Sequence, residues 1–185
     1  MTPAIVDYGV GNLGSVGRAL QRLGCSFRLS SSPEELQESR HLILPGVGHF
    51  GESMGNLRER GLDVAIREAL DRGARLLGIC VGFQMLFERS EEAPGVRGLG
   101  LLAGEVRAFG AELVVPHVGW NQLESLSDNA LLEGISPGDY FYFLHSYYAV
   151  AADEQAVWAS TEYGSRFCSV SGRGRVAGIQ FHPEK

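Results

Sequence analysis

The stretch Arg75-Leu76-Leu77-Gly78-Ile79-Cys80-Val81-Gly82-Phe83-Gln84-Met85-Leu86 decides how the chain is read. Its first half is a short apolar run, the pattern of a strand buried on both faces. Its second half, with Met85 and Leu86, carries a helical pattern. Between them, Gly78-Ile79-Cys80-Val81-Gly82 has a small residue two places before and two places after a nucleophile. Such glycines permit a sharp strand-to-helix turn that pushes the central side chain outward. A thiol there faces the positive end of a helix dipole, and the Val81 N–H is left to receive an oxyanion. The same cysteine also reads as a small residue buried for packing alone.

On either side of this stretch the chain alternates. Ala4-Ile5-Val6-Asp7-Tyr8 is β-prone and closed by glycines, and Leu13, Val16, Leu20 and Leu23 then share one helical face. Residues 26–29 follow as a strand, 33–38 as a short helix opened at Ser32, and His41-Leu42-Ile43-Leu44 as another buried strand. A glycine-punctuated loop leads to a helical stripe of Leu62, Ala65, Ile66 and Leu70 that ends near Gly73. Strands alternating with helices predict a mostly parallel sheet with helices on both faces. Beyond the elbow, residues 104–109, 113–118, 140–150, 156–161, 167–170 and 175–181 are β-prone, with turns at Pro137-Gly138 and Gly172-Arg173-Gly174. These predict added antiparallel strands on one α/β domain spanning 1–185.

The chain's 185 residues suit a single core, and 44% hydrophobic with 21% charged residues is ordinary for a folded globular domain. A net charge of -6 argues against a broad nucleic-acid surface, which needs a basic patch. No apolar segment is long enough to span a membrane. The opening Met1-Thr2-Pro3-Ala4-Ile5-Val6-Asp7 reads as a first strand rather than a signal peptide, so a cytoplasmic protein is expected. Cys25, Cys80 and Cys168 cannot all pair, and their spacing is not that of metal ligands. Cys25 and Cys168 lack the elbow context and read as packing residues.

A second motif lies near the end of the sequence. The strand Val176-Ala177-Gly178-Ile179-Gln180-Phe181 runs straight into His182-Pro183-Glu184. Extended residues two apart point the same way, about 6–7 Å apart, so Glu184 reaches the His182 imidazole and fixes its tautomer. Pro183 donates nothing to a sheet ladder, which places the pair at a strand end, where sites of open parallel sheets lie. Alone, such a pair reads as readily as a structural histidine beside a solvated charge. With an elbow cysteine, the three make a set of nucleophile, base and orienter. Gln84 sits one helical turn after Cys80 on the same face, where its amide can reach a ligand of the thiol.

The segments Gly78-Ile79-Cys80-Val81-Gly82-Phe83-Gln84 and Gln180-Phe181-His182-Pro183-Glu184 together resemble the class I glutamine amidotransferases. Within that class, three further segments resemble the glutaminase subunits of imidazole glycerol phosphate synthases. They are Pro45-Gly46-Val47-Gly48-His49-Phe50, Pro116-His117-Val118-Gly119-Trp120-Asn121 and Tyr142-Phe143-Leu144-His145-Ser146-Tyr147-Tyr148. The likeness covers essentially the whole chain. It implies a flavodoxin-like sheet and hydrolysis of L-glutamine by Cys80, His182 and Glu184. The ammonia would pass to a (β/α)8-barrel cyclase subunit of a heterodimeric synthase in histidine biosynthesis.

The same resemblance implies oxyanion donors at Val81 and at Val47 or Gly48, and substrate contacts at Gln84, Gly48, Ser146 and Tyr147. It places Asn12, Trp120, Asn121 and Lys185 at the synthase interface, and it calls for no metal or cofactor. A core tryptophan is the alternative for Trp120, and an aromatic core strand for 140–148, His145 included. His41 and His49 receive no role. Family members usually continue past His-Pro-Glu-Lys into a final helix, so a further segment is expected after Lys185. Competing readings are a glutaminase of another synthase, a cysteine hydrolase that supplies no synthase, and a catalytically silent regulatory subunit.

Overall fold

The computed structural model describes residues 2–185, and Met1 lies outside them. The N-terminal half runs β1 (Ala4–Val6), α1 (Leu13–Arg22), β2 (Arg28–Ser30), α2 (Pro33–Gln37), β3 (His41–Gly46), α3 (Phe50–Glu59), α4 (Leu62–Asp71), β4 (Arg75–Cys80) and α5 (Val81–Gln84). Local chemistry accounts for most of these. Ser32 caps α2 by accepting a hydrogen bond from Glu35 N at 3.3 Å, with Pro33 in the first turn. α4 buries Leu62, Ala65, Ile66 and Ala69, an i, i+3, i+4, i+7 stripe facing the sheet. In the registers of β1, β3 and β4, Leu42, Leu44 and Leu76 share one face of the sheet and Ile5 and Ile79 the other, and all five are buried.

Residues 50–59 correct the sequence reading, which made them part of a loop. They form α3, which buries Phe50, Met54 and Leu57. Glycines at 51 and 55 lower its helix propensity, and long-range contacts offset that. Phe50 N donates to Glu92 Oε2 at 2.7 Å, and Gly51 N donates to His49 Nδ1 at 3.1 Å. His49, given no role above, is thus a helix cap.

The second half adds β5 (Arg89–Ser90), β6 (Gly104–Ala108), β7 (His117–Gln122), β8 (Ser125–Leu126), β9 (Tyr140–His145), β10 (Tyr147–Ala151), β11 (Val157–Tyr163), β12 (Ser165–Arg173) and β13 (Val176–Ile179). The main sheet has the order β2-β1-β3-β4-β13-β12-β10-β6-β5. Its first five strands are mutually parallel. Numbered along the chain, these five have the flavodoxin-like order 2-1-3-4-5. β13 therefore belongs to the parallel core and is not one of the antiparallel additions the sequence suggested. Its antiparallel neighbour β12 begins the added region.

Two more readings change. The strand expected at 113–118 starts later, as β7. The run 140–150 is two strands that part at Ser146: β9 pairs with β7 in a separate two-stranded sheet, while β10 joins the main sheet between β12 and β6. On the outer face of the small sheet Val118 lies opposite Leu144 and Trp120 opposite Tyr142. Val118, Trp120, Tyr140 and Leu144 are exposed there.

Candidate active site

Register alone assembles the centre. β4 lies between β3 and β13, with Gly46 paired to Cys80 on one side and Ile179 paired to Ile79 on the other. The 45–48 loop and the 180–184 turn therefore leave the sheet on either side of the thiol. Cys80 has φ 54° and ψ −112°. Among the described residues it is the one non-glycine with positive φ. Such a backbone costs about 1–3 kcal/mol and persists only where its surroundings enforce it. Here the glycines let the neighbours close in: a Cβ on Gly82 would strike the Leu44 carbonyl, one on Gly46 the Gly82 backbone, and one on Gly178 the Phe83 ring. The helix that follows, α5, has a single turn, shorter than the pattern through Met85 and Leu86 suggested. Stabilisation of an anion here falls to individual backbone N–H groups more than to a macrodipole.

The 182–184 turn is held by a backbone bond from His182 N to Tyr142 O at 2.9 Å. His182 Nδ1 lies 2.9 Å from Glu184 Oε1. A carboxylate only accepts, so Nδ1 donates and Nε2 is left for the thiol. Burial by itself would lower the His182 pKa. Hydrogen bonding to Cys80 and to Glu184 outweighs it and pushes the value up to about 10. For Glu184, burial acts against the carboxylate, yet the hydrogen bond from His182 holds its pKa below the usual range. The pair is thus poised as imidazolium and carboxylate next to a sulfur nucleophile.

Cys80 opens onto a cleft of about 220 Å³. That is below the usual size of drug or cofactor pockets and suits a small substrate. One wall is Val47, Gly48 and Val81, and the opposite wall is Leu144, Ser146 and Tyr147, with His182 between them. Gly48 has φ +86° with open space where a Cβ would stand, so backbone conformation, not crowding, is what requires glycine there. Among the described residues no group of His, Cys, Asp and Glu could hold a metal ion. A larger groove of about 560 Å³ runs along α1 past Arg18, Arg22 and Lys185 and reaches Glu184, but neither Cys80 nor His182 lines it.

Residues 4–185 match the family described as Glutamine amidotransferase class-I. The chain belongs to that family. It is 50% identical over 182 residues to a Moorella thermoacetica protein named imidazole glycerol phosphate synthase subunit HisH, covering 98% of this chain and 87% of that one. The protein of the same name from Bacillus subtilis is 48% identical over 187 residues, with 98% and 88% covered. Among solved structures, one described as a glutamine amidotransferase superposes with a TM-score of 0.77 at 25% identity, covering 98% of this chain and 90% of that chain. PurLQS from Thermotoga maritima superposes with a TM-score of 0.77 at 23% identity, covering 99% and 87%, a likeness of fold alone.

In this amidotransferase the residues named from sequence fall in three places. Cys80, His182, Val81, Val47, Gly48, Gln84, Ser146 and Tyr147 all line the one cleft, with Glu184 directly behind His182. Gln84, however, is buried, and its Nε2 donates to Tyr147 O at 2.8 Å and to Gln180 Oε1 at 3.1 Å. Its two N–H groups thus tie the walls together and are not free for a ligand. Of the residues expected at a partner interface, Trp120 is 60% exposed. Lys185 is exposed and Asn12 half-buried at the start of α1. Asn121 turns inward, its Nδ2 bonded to Glu162 O at 3.0 Å and near His117 Nε2 at 3.2 Å.

Sequence reasoning missed three groups in and around the amidotransferase cleft. Glu92 lines it and brings a carboxylate next to the segment that follows the 45–48 loop. No local pattern marks this acid. Gln180 donates toward Cys80 Sγ at 3.8 Å. Its place two residues before His182, just past the end of the strand beside β4, was the available signal. Tyr8, buried at the end of β1, donates to Pro45 O at 2.8 Å and anchors the root of the 45–48 loop. Burial raises its phenol pKa well above the usual value.

Proposed function

We propose that this chain is the glutaminase subunit of an imidazole glycerol phosphate synthase, hydrolysing L-glutamine to glutamate and ammonia for histidine biosynthesis. The observation that carries the reading is the single cleft in which an elbow cysteine faces a His–Glu pair and a glycine loop. The identity to the HisH relatives supports the choice of synthase. The Cys80 proton rests on His182, which stands as the imidazolium, and the thiolate so formed attacks the side-chain amide carbon of glutamine. The tetrahedral oxyanion is met by the N–H of Val81 and by that of Val47 or Gly48. The imidazolium returns its proton to the leaving amine, ammonia departs, and a γ-glutamyl thioester remains. Water, deprotonated by His182, attacks the thioester, which releases glutamate and restores the thiol. No cofactor enters these steps. Glu92 is placed to meet the substrate's ammonium group.

Residues 1–185 act in this reading as one amidotransferase domain, and ammonia passes to a (β/α)8-barrel cyclase subunit. The exposed apolar face of Val118, Trp120, Tyr140 and Leu144 is the candidate docking surface, with Trp120 as its anchor. Asn12 and Lys185 are the other candidate contacts. The proposed setting is the cytoplasm, which keeps thiols reduced, in line with the unpaired Cys25, Cys80 and Cys168. The experiment is to follow glutamate release from glutamine by the chain alone, then with a cyclase subunit and its nucleotide ligand. Release should be slow alone and rise on addition of partner and ligand. A free chain already at the rate of the liganded complex would point to a stand-alone hydrolase, and no release under any condition to a silent subunit.

A further inference from the structure

Two histidines that the hydrolysis itself does not use support the Ser146–Tyr147 wall: His145, which lines the cleft beside Ser146, and His117, packed against it. His117 Nδ1 is 3.2 Å from His145 Nε2, and His145 Nδ1 is 2.8 Å from Tyr147 O. On the other side Asn121 Nδ2 is 3.2 Å from His117 Nε2. The amide orientation of Asn121 is fixed independently, because Nδ2 donates to Glu162 O at 3.0 Å and Oδ1 accepts from Gln122 N at 2.8 Å. These ends determine every proton between them. Tyr147 O only accepts, so His145 carries its proton on Nδ1 and accepts at Nε2. His117 must then donate from Nδ1 and accept from Asn121 at Nε2. Both rings are neutral, both are in the Nδ1–H form that is the minor tautomer of free histidine, and no donor or acceptor is left over. Burial agrees with this, pushing His117 down to about 4 and His145 to about 3.

The chain of bonds does not stop at Tyr147. Its carbonyl also accepts from Gln84 Nε2 at 2.8 Å, Gln84 Nε2 donates to Gln180 Oε1 at 3.1 Å, and Gln180 Nε2 points at Cys80 Sγ at 3.8 Å. We propose that His117 and His145 form a neutral, tautomer-locked strut that positions the Tyr147 wall and, through Gln84 and Gln180, the hydrogen bond presented to the Cys80 sulfur. This deepens the glutaminase reading and rests on it. His117 and His145 are positioning residues: every ring nitrogen is committed, so neither is a spare base. The strut also fastens β7, which carries the exposed Trp120, to the substrate cleft.

The test has two arms. Nitrogen-15 NMR of the full chain should find both rings neutral with Nδ1 protonated from about pH 6 to about pH 9. An Nε2–H tautomer or an imidazolium at either position overturns the proposal. In the second arm, His117→Phe keeps a flat ring against Tyr163 and Phe143, whose centroids lie 4.0 Å and 5.0 Å away, and removes both hydrogen bonds. The loss of one buried bond's worth of positioning should lower kcat/KM for glutamine and the rate of Cys80 alkylation each about tenfold. A folded variant within about twofold of wild type on both counts, the ordinary scatter of such measurements, means a purely structural pair and sinks the idea. If that variant does not fold, the wild-type tautomers decide alone. A wild-type chain that never hydrolyses glutamine would refute the glutaminase reading while leaving the tautomer result to judge the strut.

Discussion

The two walls of the cleft are built on different principles. The Cys80 wall is backbone under strain: a positive φ at the nucleophile, held because Gly46, Gly82 and Gly178 allow Leu44, Val81 and Phe83 to approach without side chains between. The Ser146–Tyr147 wall is a break between two sheets, held by side-chain hydrogen bonds from Gln84 and His145. A strained backbone places a reacting atom rigidly, since packed interiors yield little. A wall at a strand junction tied by directional bonds is the more adjustable of the two, because its bonds can be exchanged singly. In the proposed reaction the chemistry falls to the rigid wall and recognition to the other.

The largest expected effect on this comparison is at the nucleophile. Cys80→Ala should cut glutamate release by more than about 10⁴-fold while leaving the thermal transition near that of wild type. Residual turnover near the wild-type rate, or active-site labelling at Cys25 or Cys168, would break the assignment of the rigid wall. Next is the oxyanion loop. Gly48→Val meets no neighbour but cannot hold φ +86°, so it should misplace one donor and lower kcat by about 10²–10³-fold, with a smaller change in KM, in steady-state assays.

The acid–base pair sharpens the comparison less dramatically. The folded state raises the His182 pKa from 6.5 to about 10, so its contribution to stability is complete below about 6.5 and is lost as pH climbs to about 10. Cys80→Ala removes one of the two groups that raise the value. Histidine NMR titration should find the His182 pKa lower in that variant, and its melting temperature should fall less than that of wild type across the window. An unchanged titration would mean that Glu184 alone sets it. The smallest effect concerns strain: Cys80→Gly should be more stable than Cys80→Ala by about 1 kcal/mol in denaturant unfolding, because glycine accepts the positive φ that alanine resists. The opposite order would show that the elbow is unstrained.

The sequence by itself determined the elements whose causes lie within a few residues. The apolar run and flanking glycines announced β4 and the elbow, the capped α2 began where Ser32 and Pro33 put it, and His182-Pro183-Glu184 had the reach for its own hydrogen bond. α3 was the exception within that half. Its stripe of Phe50, Met54 and Leu57 was legible, but the glycines argued against a helix, and Glu92, which caps it, lies 42 residues away.

Only the tertiary structure decided how the pieces meet. It made β13 the fifth parallel strand beside β4, which is what sets His182 next to a thiol 102 positions earlier and brings Gln180 to that sulfur across a separation of 100 residues. It split residues 140–150 at Ser146 between two sheets, and it gave Gln84 and Asn121, candidate contacts of a ligand and a partner, internal hydrogen bonds that no local pattern announces. Nothing local encodes these choices. A strand's alternation fixes which side chains share a face, whereas its neighbour in the sheet depends on what the whole chain can bury at once.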